Sequence, residues 1–159
     1  MSYTRLGTSR EAARGKPMAE QHDAGQAIRE WFQILERSVR QVDYQTMRQH
    51  FAPDVLSFGT RADVVSGLDA LVANQWSGIW PNIRDFTINF EQLHWGASGD
   101  LAWGIAPWDS IGYQPDGTSF PRPGRATVLF ERRHGVWLAI HTHFSLFPGT
   151  PQTTHGPRG

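Results

Sequence analysis

The chain has 159 residues, its 15 Lys and Arg side chains are balanced by 15 Asp and Glu side chains, and it has no cysteine. This length suits one domain, and the absence of net charge and of a basic run argues against a nucleic-acid partner. Without cysteine, disulfide scaffolds, thiolate metal sites and cysteine nucleophiles are excluded; a reducing compartment fits, so we expect a cytoplasmic protein.

The first 22 residues are predicted to form a disordered tail. They are polar, and they lack the apolar run of a secretory signal. No other segment is long and apolar enough to suggest a membrane span, so the sequence indicates no membrane partner.

Two helices are predicted after this tail. Apolar residues between Ile28 and Val42 recur with the spacing of one helix face, and Asp23 with Gln26 has the spacing of a capping box before them. Asp43 is placed to cap a short second helix. Pro53 ends that helix, because the residue before a proline is pushed out of the helical region.

A strand over residues 54–60 and a third helix follow. The segment Ser66–Asp69 has the pattern of another capping box. It predicts a helix that runs through Leu71 and Trp76 and is stopped by Pro81.

Beyond Pro81 the sequence predicts four long antiparallel strands, rich in β-branched and aromatic residues and separated by glycine-containing turns. They cover residues 86–95, 101–113, 124–132 and 136–146. Helices followed by a meander indicate an α+β fold, with three N-terminal helices packed on a strongly curved, mostly antiparallel sheet around a central cavity. Residues 148–159 are predicted to be a flexible tail.

The last predicted strand has two different faces, because side chains alternate along a strand. The odd-numbered face carries Trp137, Ala139, His141, His143 and Ser145. The even-numbered face carries Leu138, Ile140, Thr142, Phe144 and Leu146. Neither face is wholly polar, so we expect helices and a cavity on one side of the sheet and a partner on the other.

Three segments resemble the SnoaL-like and ketosteroid isomerase-like branch of the nuclear transport factor 2-like superfamily: Phe51–Val55, Val65–Leu71 and Thr127–Ser145. The second segment and the His-x-His-x-Ser ending are also similar to the association domain of calcium/calmodulin-dependent protein kinase II. The resemblance implies a cone-shaped domain over residues 23–147 that binds a small apolar molecule in its cavity. It implies fold more strongly than activity.

The resemblance also implies which side chains face the ligand. The expected cavity residues are Leu71, Trp103, Ile105, Val128 and Phe144, with Thr142 as a hydrogen-bond donor. His141, His143 and Ser145 are expected on the convex face, where such proteins pair, so a homodimer is expected. A slip of one residue would exchange the faces and make these three residues the alternative active site.

The sequence departs from the family at catalytic positions. Where steroid isomerases carry a catalytic carboxylate, this chain has Ser57–Thr60, so steroid isomerisation by that mechanism is not expected. The arginines that line the cavity of the kinase association domain align here with apolar residues, Ile105, Val128 and Phe144. The arginine side chains that would bind an anionic ligand are therefore absent from these positions.

Asp109 is the predicted catalytic base. It shares a strand face with Trp103 and Ile105, and an apolar cavity would raise the pKa of its carboxyl group and suit it to proton transfer. A strand-end carboxylate facing water is the alternative. His141 and His143 could chelate a metal, but no third ligand is visible, and the sequence indicates no metal site and no cofactor.

Two function classes stay open. The first is a small-molecule enzyme of isomerase, cyclase or dehydratase type that uses general acid/base proton transfer. The second is a non-catalytic ligand-binding or oligomerisation module. Trp31, Trp76, Trp80 and Trp103 could line a ligand site or form plain core, and the segment Pro121–Gly124 predicts a loop at the cavity rim without a recognisable motif.

Overall fold

The computed structural model describes residues 18–60 and 63–157, so most of the predicted N-terminal tail lies outside the described residues. Within these ranges one eight-stranded sheet is covered on its inner face by helices. The sheet is strongly curved and mostly antiparallel, and the predicted α+β fold is confirmed. No helix among the described residues is long and apolar enough to cross a membrane.

The two N-terminal helices are α1 (Met18–Gln41) and α2 (Tyr44–Arg48). The predicted start of α1 at Asp23 is wrong, because the preceding residues are good helix formers and continue the helix. The predicted cap of α2 is confirmed, since the Asp43 side chain accepts a 3.0 Å hydrogen bond from the Thr46 N–H.

The third helix changes its winding along its length. It starts as an α-helix (Leu68–Leu71), continues as a π-helical turn (Val72–Trp76) and a further α-turn (Ser77–Ile79), and ends in a 3₁₀ turn (Trp80–Asn82). Gly67 precedes its first residue without a side-chain cap, so the predicted capping box is wrong. π-helical turns often accompany functional sites, and this one carries two buried residues, Gln75 and Trp76.

The strands form one path through the sheet, in the order β2-β1-β8-β7-β5-β3, with β4 and β6 also paired to β5. Their bounds are β1 (Phe51–Phe58), β2 (Val64–Ser66), β3 (Arg84–Ile88), β4 (His94–Ser98), β5 (Leu101–Tyr113), β6 (Ser119–Pro121), β7 (Gly124–Arg133) and β8 (Val136–Leu146). Only β1 and β8 run parallel among these pairs.

Two predicted strand limits are wrong. β1 begins at Phe51 rather than after Pro53, and its pairing with β8 is irregular between Phe51 and Leu56. Pro53 fits there, because the irregular stretch does not need its missing N–H. The predicted strand over 86–95 is instead β3 and β4, separated by a 3₁₀ turn (Phe90–Gln92).

Small residues let α1 rest directly on the inner face of β5. Ala102, Gly104 and Ala106 point inward there. A Cβ atom added at Gly104 would lie 2.8 Å from Ile28 and 3.1 Å from Phe32. Farther along β5 the inner face carries larger or polar side chains, and a cavity separates them from the helices.

A β-bulge in β8 changes which alternate residues of the strand face inward. Leu129 pairs with His141, whereas the next residue of β7, Phe130, pairs with Ala139, so Ile140 is an extra residue. Ala139 is fully buried on the inner face, and its predicted place on the same face as His141 is wrong. The inner face of β8 carries Trp137 and Ala139 before the bulge, and Thr142, Phe144 and Leu146 after it.

The segment that follows β8 is anchored to the fold, in contrast to the flexible tail predicted for residues 148–159. Thr154 is only 6% exposed. Its Oγ1 accepts a 2.9 Å hydrogen bond from the Tyr113 N–H and donates a 2.7 Å hydrogen bond to the Asn82 carbonyl. This one threonine therefore joins the ends of β5 and the third helix.

Candidate functional site

A cavity lies between α1, the third helix and the inner face of the sheet. About 60 Å³ of it is open to the centre of a water molecule, and the space free of protein atoms in the cavity and in the solvent at its mouth together amounts to about 550 Å³. Thr60, Ile79 and Phe144 are partly exposed and mark its mouth, whereas the other lining residues are buried. These are Leu35, Val39, Phe51, Gln75, Trp76, Trp80, Ile83, Phe86, Trp108, Arg122 and Thr142.

Aromatic rings form one wall of the cavity. Trp76 and Trp80 stack with centroids 4.5 Å apart and an interplanar angle of 16°. Phe51 meets Trp76 edge-on at 5.1 Å, and Tyr44 packs behind Trp80 at 5.3 Å. Such rigid rings hold a flat apolar surface at little entropic cost, which suits a planar ligand.

Arg122 is the charged side chain among the described lining residues, and it is 1% exposed. Its backbone is held on both sides by Ser110: the Arg122 N–H donates to the Ser110 carbonyl, and Ser110 Oγ donates to the Arg122 carbonyl, each at 2.8 Å. Its Nη2 donates to Thr60 Oγ1 at 3.2 Å, and its guanidinium carbon lies 5.8 Å from the Trp108 ring centroid. The guanidinium is thus located between two lining residues.

Three large lining side chains are each seated over a glycine. A Cβ atom at Gly112 would lie 3.1 Å from Cδ of Arg122. The amide of Gln75 packs over Gly59, and the Trp108 ring packs over Gly124, so closely that neither glycine leaves space for a Cβ atom. The glycines therefore make room for the polar and aromatic groups that form the site.

The described part of the cavity wall contains hydroxyl and amide groups but no carboxylate or imidazole that could act as a general base. Thr142 Oγ1 lies 2.6 Å from Ser57 Oγ, and both residues are buried. Among the described lining residues none carries a carboxylate or an imidazole. Burial raises the pKa of the Tyr44 phenol next to the tryptophan stack, so this group stays neutral at physiological pH.

The predicted site residues on β5 do not reach the cavity. Trp103 and Ile105 lie on the outer face, which is turned away from the helices, and are 45% and 38% exposed. Asp109 shares this face and is exposed. Their predicted placement in the cavity is wrong, because the small residues Ala102, Gly104 and Ala106 take the inner positions of β5 beneath α1.

The other predicted residues are divided between cavity and core. Thr142 and Phe144 line the cavity. Leu71 and Val128 are fully buried in the hydrophobic core but are not among the lining residues. Of the tryptophans, Trp76 and Trp80 line the cavity, whereas Trp31 belongs to the core and donates to the His50 carbonyl at 3.0 Å.

His141, His143 and Ser145 point to the outer face. The Phe58 ring contacts both histidine rings edge-on, at 5.4 and 5.3 Å. His141 Nδ1 donates to the Leu56 carbonyl at 2.8 Å, which leaves Nε2 as the acceptor of the neutral ring. No group of three potential metal-binding side chains is present among the described residues.

The outer-face residues form two rows across four strands. One row is Phe58, His143, Thr127 and Ile105, and the other is Leu56, His141, Leu129 and Trp103. Most of these side chains are apolar and exposed, and none carries a fixed charge. We call these eight residues the outer patch.

Sequence reasoning missed Arg122 and Gln75. Arg122 follows β6 and precedes β7, in a segment that the sequence marks only as a proline-rich loop. Its burial depends on the pairing with Ser110 and on the space above Gly112, which are contacts between distant parts of the chain. The sequence feature that could have pointed to Arg122 is its position as a single arginine between two prolines.

The family model of the SnoaL-like domain matches residues 26–149. The chain belongs to the SnoaL-like domain family. Among similar solved structures is a nuclear transport factor 2-like protein of unknown function from Pseudomonas putida, 26% identical, with 91% of this chain and 99% of that chain covered and a TM-score of 0.64. No curated protein matches the chain.

Two further structures share the fold of this SnoaL-like protein. A ketosteroid isomerase-like protein from Erwinia carotovora atroseptica is 14% identical, with 77% of this chain and 95% of that chain covered and a TM-score of 0.67. The association domain of the C. elegans calcium/calmodulin-dependent protein kinase II is 15% identical, with 79% and 99% covered and a TM-score of 0.63. The predicted family is confirmed, and at these identities the two structures show the fold alone.

Proposed function

We propose that this SnoaL-like protein binds a small molecule with an apolar, single-ring body in its cavity. The observation that carries the proposal is the tryptophan-walled cavity, in which Trp76 and Trp80 form a stacked flat surface beside other apolar side chains. Ligand sites are commonly concave, mostly apolar and supplied with a few polar groups. The described cavity has this composition.

The size of the cavity supports a ligand of this class. The part open to water centres, about 60 Å³, is several times the roughly 10–15 Å³ that one water needs, so a small ring has room. A steroid-sized molecule would require movement of the partly exposed residues at the mouth, Ile79 and Phe144.

Titration with ethylbenzene tests this proposal. We expect saturable binding by the native protein, measured by calorimetry or by quenching of tryptophan fluorescence. Ile79→Trp should fill the cavity and abolish binding, whereas Ile105→Trp, the same change on the outer face, should leave it intact. Equal binding by both variants would place the ligand outside the cavity and contradict the proposal.

Catalysis of an isomerisation, cyclisation or dehydration in the same cavity is the second candidate function. The donors Arg122 and Thr142 support it, because they would stabilise negative charge that develops on a substrate oxygen. Proton transfer also needs a base, and Asp109 lies on the outer face, away from these donors. We therefore favour binding, and we expect Asp109→Asn to leave any turnover unchanged.

We also propose a homodimer that forms through the outer patch. Exposed large apolar side chains on a sheet face mark an interaction surface, and Leu56, Trp103 and Leu129 are 48%, 45% and 39% exposed. In a twofold dimer the same patch meets itself. Because the outer patch carries no fixed charge, a second copy of the chain can approach it without repulsion.

Sedimentation velocity tests the dimer. Leu129→Glu places a charge near the middle of the outer patch and should yield a monomer at tens of micromolar, since a charge left unpaired in an interface is costly. Val136→Glu makes a matched change at the end of the β7–β8 hairpin, where the residue is 55% exposed, and should leave the dimer intact. A monomeric native protein at these concentrations would overturn the proposal.

A further inference from the structure

Two histidines form a pair on the outer face of β8. His141 and His143 follow the bulge and are two positions apart, so their side chains project from the same side of the strand. His143 is exposed and His141 is half-buried. Imidazole is a preferred ligand of zinc and related divalent ions, and two imidazoles at this spacing can bind one ion between them. The pair can therefore supply two of the four ligands of a tetrahedral zinc site.

The contacts of the pair orient it for an ion. His141 Nδ1 donates to the Leu56 carbonyl at 2.8 Å, so the free lone pair of the neutral ring lies on Nε2. Metal-binding histidines commonly donate their other ring N–H to a carbonyl group in this way, which fixes the tautomer and the direction of the ring. The Phe58 ring contacts both imidazoles edge-on, at 5.4 and 5.3 Å. Both rings are thus held against the same aromatic side chain.

One copy of the chain does not complete a metal site. Among the described residues no group of three potential metal-binding side chains is present. The strand neighbours of the pair in the outer patch carry no carboxylate or imidazole; they are Leu56, Phe58, Thr127 and Leu129. Because a structural zinc site has four ligands, two of them have to come from another molecule.

The pair lies close to the centre of the outer patch. The patch crosses four neighbouring strands in the order β1, β8, β7 and β5, so its centre falls between β8 and β7. The pair on β8 is therefore about half of the roughly 4.8 Å strand spacing from that centre. In a twofold dimer, residues near the axis meet the same residues of the second copy. An axis through the patch centre would place two histidine pairs opposite each other.

We propose that two copies of the chain share one zinc or similar divalent ion between their outer patches, with His141 and His143 of each copy as its ligands. The proposal rests on the proposed homodimer and adds a metal site to that interface. Sheets packed face to face lie about 10 Å apart, and imidazoles from both faces can meet in this gap at an ion with bonds of about 2.0–2.1 Å. None of the eight patch residues carries a fixed charge, so no cation within the patch competes with the ion.

Sedimentation velocity with buffered zinc tests the shared site, on protein without a histidine tag. Free zinc at ten times the dissociation constant of the site should strengthen dimerisation about tenfold relative to the same protein in EDTA, because an ion that binds only the dimer stabilises it by mass action. We call this difference the zinc response. Native mass spectrometry should find one zinc ion for two chains. One ion per chain, or bound zinc without a zinc response, would mean an adventitious ion only and would overturn the shared site.

His143→Phe separates metal binding from packing. It keeps an aromatic ring beside Phe58 but removes a ligand, so the dimer in EDTA should remain and the zinc response should be lost. His141→Ala should also abolish the zinc response. His155→Ala is the matched control, because it removes an exposed histidine from the segment after β8, and it should leave the zinc response unchanged. A zinc response that survives in both outer-patch variants would overturn the assignment of the ligands.

The outcomes distinguish the metal site from the dimer itself. A native protein that dimerises equally well in zinc and in EDTA overturns the metal site and leaves the proposed dimer intact. A native protein that is monomeric at tens of micromolar in both solutions overturns the dimer. The comparison of zinc with EDTA uses the native protein, so it decides between these outcomes even where a variant does not fold.

Discussion

The hydroxyl groups of Ser57 and Thr142 lie 2.6 Å apart on the neighbouring parallel strands β1 and β8. The two residues are 1% and 2% exposed, and Thr142 also lines the cavity. Either hydroxyl can be the donor. The pair can therefore present a donor or an acceptor to a ligand without leaving a buried hydroxyl unbonded.

Thr142→Val should destabilise the protein by about 1–3 kcal/mol, because it keeps the side-chain shape but leaves the Ser57 hydroxyl without its partner. The double variant Ser57→Ala/Thr142→Val should lose less than the sum of the single variants, since no unpaired hydroxyl remains. Denaturant unfolding measures these differences. Thr127→Val on the exposed outer face is the matched control and should be nearly neutral; strict additivity would contradict the coupling.

Gly59→Ala should displace the Gln75 side chain from the cavity wall. The new methyl group would overlap the Gln75 amide, and forcing a buried side chain aside typically costs about 1–3 kcal/mol. Gln75→Ala in the same chain removes the overlap and should recover part of that stability. Thermal unfolding of both single variants and the double variant measures this rescue, and a double variant less stable than the sum of the single changes would disprove the contact.

The order of the helices and long strands was readable from the sequence, but the parallel pairing of β1 with β8 and the faces of β5 were not. Helical spacing, turn glycines and runs of β-branched and aromatic residues indicate the helices and the long strands, whereas of the three predicted caps only Asp43 is confirmed. On β5 both faces are apolar, so alternation alone does not say which is inside. Trp103 looks like a core residue but lies on the outer face, whereas Gly104 looks unimportant but allows α1 to contact the sheet.

The candidate site was predicted only in part, because its polar groups depend on long-range contacts. Alternation correctly indicates that Thr142 and Phe144 share a face, but it does not reveal the bulge at Ile140 that moves Ala139 to the same side. The burial of Arg122 depends on β6 pairing with β5 and on space above Gly112. Neither relationship has a local sequence signature.

Phe144→Ala should enlarge the cavity and change its affinity for ethylbenzene. Phe144 is partly exposed, so the loss of unfolding free energy should be smaller than the roughly 3–5 kcal/mol of a fully buried phenylalanine. Trp108, whose ring lies 6.3 Å away, should lose packing on that side. Calorimetry and denaturant unfolding measure the two effects, and unchanged affinity would show that Phe144 does not contact the ligand.

His143→Ala should weaken dimerisation and leave ligand binding in the cavity nearly unchanged. His143 is exposed in the outer patch, one residue before Phe144, so cavity binding should stay within about threefold of the native value. The loss of its contact with Phe58 should weaken dimerisation. Sedimentation and ethylbenzene titration are the two measurements. Lost binding in an intact dimer would make the outer face, with His141 and Ser145, the functional site.

His50 should make stability depend on pH. Burial lowers the pKa of its imidazole below the usual 6.5, so the unfolded chain binds a proton more readily than the folded chain. Stability should therefore fall as the pH drops through about 6.5, and this loss should be complete below the folded-state pKa. His50→Gln removes this contribution, and denaturant unfolding between about pH 7.5 and 5 should show a smaller decline; parallel curves would contradict the assignment.

Adjacent threonines test whether the C-terminal segment is part of the fold. Thr154→Val would leave the Tyr113 N–H and the Asn82 carbonyl without the hydroxyl that joins them, so we expect a loss of about 1–3 kcal/mol. Thr153 is exposed, and Thr153→Val should change the unfolding free energy by less than about 0.5 kcal/mol. Denaturant unfolding compares the two. Equal stabilities would mean that Thr154 does not hold β5 to the third helix in solution. The expected difference would show that the segment after β8 stabilises the domain by joining these two elements.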